Sequence, residues 1–354
     1  MKQRIQPLVA CIALLASCSS AEDPATAGGW PPPDPLTIDA PRFPAMPVTP
    51  GNPLTVQGVD LGRRLFYDPI LSADSSQACA SCHQVGRAFS DSLRFSLGVS
   101  GRPGGRNAPA LTNAGWLTSA FWDGRARTLE DQAFEPVINP VEMEETWDNV
   151  VAKLQARPDY PDRFGRAFGS DVITQQRVVQ AIGQFERTFV SNRSRYDRWL
   201  ETRDPAAAGF SAAEDRGRLL FNTEAGDCFH CHPPNALLTD NDFHNTGLDS
   251  PFVDLGLGEV TKNPNDFGKF KSPSLRNVTL TAPYMHDGRF QTLEEVVNHY
   301  NSGGFSTPTI DPLLRKRGVG LGLTPQQVSD IVAFLHTFTD TSFLNDTTLS
   351  NPFE

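Results

Sequence analysis

Apolar residues in this chain recur at helical spacing, not at the alternate spacing of strands. Val178, Val179, Ile182, Phe185 and Phe189 fall on one face of a helix. Thr324-Pro325 opens another, with Thr as cap and Pro in the first turn, and its Val328, Ile331, Val332 and Leu335 form the buried stripe. Leu293, Val296, Val297 and Tyr300 stand at i, i+3, i+4 and i+7, so Tyr300 is aimed at the core and His299 points about 100° away. Ser211 with Glu214 three positions later predicts a capping box before Arg216-Gly217-Arg218-Leu219-Leu220-Phe221. Two stretches lack any such period: Ser19 to Pro35, rich in Pro, Gly and Ala, and Glu201 to Gly209. They read as a flexible tether and a linker. The pattern as a whole predicts an all-α protein.

A length of 354 residues suits two modest domains better than one core. The net charge is −10, from 31 basic and 41 acidic residues, with no basic cluster beyond the first few positions, so a nucleic-acid partner is excluded. The apolar run Leu8 to Ala16 is too short to span a bilayer and sits behind Lys2 and Arg4. Met1 to Cys18 therefore reads as a secretory signal. Its end, Leu15-Ala16-Ser17-Cys18, resembles the lipobox of bacterial lipoproteins, in which the Cys is lipidated; the competing reading is ordinary cleavage with Cys18 a bystander. Ser19 after that Cys favours tethering to the outer membrane. Export places the folded part in the periplasm, with the lipid anchor as the sole membrane contact.

Of six cysteines, Cys11 leaves with the signal and Cys18 carries lipid, which leaves Cys79, Cys82, Cys228 and Cys231. All four lie in one motif used twice: Cys79-Ala80-Ser81-Cys82-His83 and Cys228-Phe229-His230-Cys231-His232. Two thiols three positions apart can add to the two vinyl groups of a haem, and the adjacent His supplies the proximal iron ligand. Disulfides, a thioredoxin-like pair or a four-Cys zinc site compete for a bare C-x-x-C. A His after both pairs, in an exported chain with no spare Cys, favours two covalently bound haem c and no disulfide. Leu61-Gly62-Arg63-Arg64-Leu65-Phe66 before the first motif is echoed by 216–221 before the second, a shared G-R-x-L-F expected to pack on the porphyrin. Helix, attachment site and closing helix make a cytochrome c-like domain, here two in tandem with long loops. The expected division is a signal at 1–18, a tether at 19–40, haem domains at 41–202 and 203–345, and a tail at 346–354.

Between the sites lie Arg106-Asn107-Ala108-Pro109-Ala110-Leu111, Phe121-Trp122-Asp123-Gly124-Arg125, Asp131-Gln132-Ala133, Asn139-Pro140-Val141-Glu142-Met143 and Phe185-Glu186-Arg187-Thr188, and after the second lies Thr281-Ala282-Pro283-Tyr284-Met285-His286-Asp287-Gly288. In order and spacing these resemble the bacterial di-haem cytochrome c peroxidase and MauG family over nearly the whole mature chain. The resemblance implies that Trp122 relays electrons between the haems, that Gln132 and Glu142 line the open face of the N-terminal haem with Glu142 as acid–base for hydrogen peroxide, and that Pro136 lines that pocket. It also implies a calcium ion held by Asn107 and the carbonyls of Thr281 and Pro283.

Family peroxidases that need reductive activation block the first haem with a His in the loop after the motif. Arg94 to Gly101 holds none, so the first iron is expected open. For the second iron the family places Met, or in MauG-like proteins Tyr, at the position of Tyr300; Met285, His286 and His299 are its rivals. Tyr on one iron and an open site on the other implies a MauG-like enzyme that oxidises a partner protein. The alternatives are a peroxidase fed by small cytochromes or cupredoxins and a non-enzymatic electron carrier. Gly226 stands where MauG has a surface Trp, so the exit route differs, with Trp199 or Trp147 as surrogates, or the partner does. A monomer or homodimer is expected.

Overall fold

The computed structural model describes residues 29–315 and 320–354; the signal with Cys11 and Cys18 and the start of the tether lie outside these. The helices that carry the fold are α1 Val56–Tyr67, α2 Leu129–Ile138, α3 Trp147–Ala156, α4 Tyr160–Phe168, α5 Gln175–Glu186, α6 Arg195–Thr202, α7 Ala212–Phe221, α8 Leu293–Ser302 and α9 Pro325–Leu335. Among the described residues the strands are two-residue pieces, β1 Phe243–His244 antiparallel to β2 Phe270–Lys271. No described helix is long and apolar enough to cross a membrane. Most helices begin on a side-chain cap: Thr55, Thr128, Thr174, Ser211, Thr292 and Thr324 each accept from a backbone N–H of the first turn, satisfying one otherwise orphaned donor. Ser211 and Glu214 form the expected box, and Thr292 with Glu295 forms another.

Two helix crossings organise two cores. Helix α1 packs on α5 and α7 on α9, each with a glycine at the closest approach: a Cβ on Gly62 would lie 1.9 Å from the Ala181 carbonyl oxygen, and one on Gly217 would lie 1.8 Å from that of Asp330. Phe185 and Phe334 flank these two contacts 149 positions apart, the separation of the two C-x-x-C-H motifs. Backbone cannot retreat as a side chain can. Gly217→Ala is therefore expected to lower stability by about 1–3 kcal/mol in urea unfolding, whereas Gly86→Ala, with no atom near the added carbon, is expected to change it by less than ~0.5 kcal/mol.

The C-terminal end crosses the expected division at 202/203. Phe343 and Leu349, from the C-terminal end, join the core built from Leu61, Phe66, Phe89, Phe185 and Phe189. Arg63 Nε and the Tyr67 hydroxyl donate to the carbonyls of Ser350 and Leu349, each at 2.7 Å, so the tail lies along α1. Residues 29–40 also pack: Trp30 fills the space over Gly165, and Leu36 N–H donates to Leu54 O. Phe43 then joins Trp116 and Ala236 in a small cluster that touches both halves.

Candidate active site

The two C-x-x-C-H motifs open onto one cavity of about 750 Å³, whose wall includes Cys79, Cys82, His83, Cys228, Cys231 and His232. His83 Nδ1 lies 2.8 Å from the Phe89 carbonyl oxygen, and His232 Nδ1 lies 3.0 Å from that of Leu238. Both acceptors sit six residues past their His in left-handed backbone, φ 59° and 54°, a conformation bulky residues seldom adopt. Donation from Nδ1 fixes the tautomer and leaves each Nε2 lone pair for a metal, while burial lowers both imidazole pKa values and favours the neutral ligand form. The four thiols are free and do not converge. Among the described residues the groups that could hold an ion are Cys231, Asp240 and His244, and Glu224, Asp227 and His230. A four-Cys zinc site is thereby excluded, and two separately seated haems fit the wall. Of the echoed G-R-x-L-F residues only Phe221 lies on that wall; Leu65 and Phe66 fill the core instead of packing on a porphyrin.

Glu142, Gln132 and Pro136 share the cavity wall. Thr128 caps α2, which carries Gln132 and Pro136, and Glu142 follows one turn after the helix end, where its Oε1 accepts from Asn139 Nδ2 at 2.8 Å. Burial raises the Glu142 pKa against an opposing pull from Arg125. Glu142 lies near enough to Cys79 and Cys82 to perturb both thiols, which seats it at the first motif. Tyr300 stands in the same relation to Cys228 and Cys231, and Leu293, Val296 and Val297 accompany it on the wall. Its rivals divide. His299 turns away to the Thr246 carbonyl at 2.9 Å, whereas Met285 and His286 both line the wall, His286 stacked on Phe270 with centroids 3.6 Å apart.

Trp122 Nε1 donates to Asn107 O at 2.9 Å, and its own carbonyl accepts from Lys271 N–H at 2.9 Å, so a strand of the second half holds it at the junction. Asn107, Thr281 and Pro283 line the same cavity; Asn107 Nδ2 donates to Leu93 O at 2.9 Å, which leaves its Oδ1 for a cation. Gly226 admits no side chain, because a Cβ there would lie 2.5 Å from Leu220 O. Trp147 lies in the first core and Trp199 in the second, the latter under Arg203 and Arg218.

Sequence reasoning passed over three features. Glu186, fully buried on the cavity wall, has an Oε2 with no partner, and burial lifts its pKa to about 8. His244 is clamped between Asp240 and Asp311 at 2.8 and 2.7 Å and lifted to about 12. The third is an internal repeat at a separation of 164: Pro109, Leu111 and Asn113 recur as Pro273, Leu275 and Asn277, Asp123-Gly124-Arg125 as Asp287-Gly288-Arg289, and Thr128-Leu129-Glu130 as Thr292-Leu293-Glu294. The backbone repeats too, since Asn113 and Asn277, and Phe121 and Met285, all have positive φ. In this register Trp122 matches His286, Asn107 matches Lys271, and Pro136 matches Tyr300. Aligning the two halves at that separation would have revealed all three pairs.

A family model described as di-haem cytochrome c peroxidase matches residues 56–205. Methylamine utilization protein MauG of Methylophilus methylotrophus is 36% identical over 294 residues, covering 82% of this chain and 85% of the relative. Cytochrome c551 peroxidase of Nitrosomonas europaea is 34% identical over 331 residues, 90% of this chain and 93% of the relative. The crystal structure of a MauG-like protein associated with microbial copper homeostasis superposes with a TM-score of 0.83 at 36% identity, over 90% of this chain and all of that one.

Proposed function

The chain belongs to the bacterial di-haem cytochrome c peroxidase and MauG family of oxidoreductases, and from that premise we propose that it is a periplasmic MauG-like oxidase. It would take hydrogen peroxide at the N-terminal site and draw electrons from a partner protein through the C-terminal one. The observation that supports this is the unlike lining of the two sites. Near Cys79 and Cys82 stands Glu142, the next residue's N–H donates to Pro136 O, Gln132 lines the same cavity, and His83 is the one histidine of the described cavity wall that precedes His232; near Cys228 and Cys231 stands Tyr300.

The four thiols would hold the two haems by thioether bonds, with His83 and His232 offering Nε2 to the irons. Bound haem supplies the redox chemistry, the two-electron reduction of peroxide to water. Glu142 takes a proton from the near peroxide oxygen and returns it to the leaving one, and the Gln132 amide orients the molecule. Pro136 offers no ligand atom, which keeps the first site open. Burial holds the Tyr300 phenol protonated on its own; bound to an iron it would be a phenolate and would favour the oxidised state of the second site, and Trp122 would bridge the two. Asn107 Oδ1 with the carbonyls of Thr281 and Pro283 would hold calcium; these neutral oxygens need water to complete the shell.

The EPR spectrum of the ferric protein as isolated tests this reading. A high-spin signal with a low-spin one that shifts in Tyr300→Met is expected; two low-spin signals, with no peroxide reaction before reduction, would overturn it. The latter result favours a peroxidase fed by small redox proteins, a reading supported by the comparable similarity to cytochrome c551 peroxidase, 34% against 36% for MauG. A peroxidase role also accommodates Gly226, where the packing leaves no room for a surface Trp.

A further inference from the structure

Cations on the cavity wall are paired with carboxylates, with one exception among the described residues. Arg106 bridges Asp123 and Asp254 at 2.5 and 2.7 Å, Arg125 holds Asp123 and Glu135 at 3.1 and 2.7 Å, Arg276 is forked onto Asp197, and His244 lies between Asp240 and Asp311. Lys271, 6% exposed, is more deeply buried than any of these but Arg276 and lies on the same wall, yet its Nζ donates to the Ser119 carbonyl and meets no carboxylate. Burial alone acts on it, pulling its pKa down to about 8. An ammonium carries three donors, and burying it beside one carbonyl carries a desolvation cost that a counter-ion must offset.

The described residues supply no such anion, whereas haem carries two carboxylate side chains. We propose that Lys271 is the counter-ion of a haem propionate at the junction of the two halves. This rests on the two-haem reading of the cavity. The pairing stands beside Trp122, because the same residue's backbone N–H holds the Trp122 carbonyl. In the 164-residue register its counterpart is Asn107, a neutral amide, so the cation belongs to one half only.

Holoprotein of the wild type, Lys271→Met and Lys271→Arg tests the assignment, with haem counted first by the pyridine haemochromogen spectrum. A wild-type count other than two per chain overturns the haem reading itself. With two haems present, loss of a nearby positive charge favours ferric over ferrous iron. Lys271→Met is expected to shift that ratio at one haem about tenfold, a midpoint lower by about 59 mV for a one-electron couple, and to move the propionate bending mode of that haem in resonance Raman. Lys271→Arg is expected to restore the potential. Unchanged potentials and propionate modes overturn the proposal, and so does a shifted potential with unmoved modes, since the charge would then act without pairing. If Lys271→Met does not accumulate, the arginine variant decides alone: its forked guanidinium must alter the propionate mode, and an unaltered mode overturns the assignment.

Discussion

Glu142→Gln is expected to slow the reaction with hydrogen peroxide by about 10²–10⁴-fold while both haems stay bound. The amide keeps the shape of the acid and can still accept from Asn139 Nδ2, so the loop after α2 has no reason to move. What it loses is the ability to take a proton. Burial disfavours the charged carboxylate and raises its pKa, and the working form is the ionised one, so the wild-type rate falls as pH drops through the shifted value. The variant should lack that acidic limb. A carboxyl whose folded pKa is raised lowers stability as pH climbs from the unfolded value through the folded one. Removing it should therefore leave the thermal midpoint at neutral pH unchanged or slightly higher, which separates lost chemistry from lost folding. Stopped-flow mixing with peroxide across pH, with haem content measured beside it, makes the check; turnover equal to wild type would show that the proton moves elsewhere.

How much of this was visible in the sequence depends on what carries each feature. Helical period placed Tyr300 on the wall with Leu293, Val296 and Val297 and turned His299 away, because side-chain direction follows from backbone geometry. The capping box at Ser211 and Glu214 was legible for the same local reason. The orientation of His83 and His232 was not: the acceptors are backbone carbonyls of Phe89 and Leu238 in left-handed conformation, and a carbonyl leaves no mark on residue identity. Nor did the last residues announce themselves. Phe343 and Leu349 belong to short turns without a helical period, yet they complete the core of the other half. Lys271 escaped notice because its meaning lies in the absence of an acid nearby, which only three-dimensional packing reveals.

Pro136→Tyr is expected to close the first site. Pro136 and Tyr300 lie on helices that begin on equivalent caps, Thr128 and Thr292, and each stands two residues before its helix end, at Ile138 and Ser302. Both line the cavity wall; Tyr300 lies near Cys228 and Cys231, and Pro136 O accepts from the N–H of Met143, the neighbour of Glu142, which lies near Cys79 and Cys82. The two halves thus present the same helix position to their two sites, with a ligand atom in one and none in the other. Tyrosine at 136 supplies the missing atom. It also restores an N–H that proline lacks, so the helix should gain backbone hydrogen bonding. If the new phenol occupies the site ~99% of the time, the apparent affinity for peroxide or any added ligand falls by about 100-fold, because only the open fraction binds. EPR should show the high-spin signal replaced by a second low-spin one, and cyanide titration should report the weakened site. Pro136→Ala, which changes the helix but adds no ligand atom, should stay high-spin and react normally. A Pro136→Tyr protein that keeps its high-spin signal and its peroxide rate would show that the two helices face their sites differently, and that the openness of the first site has another cause.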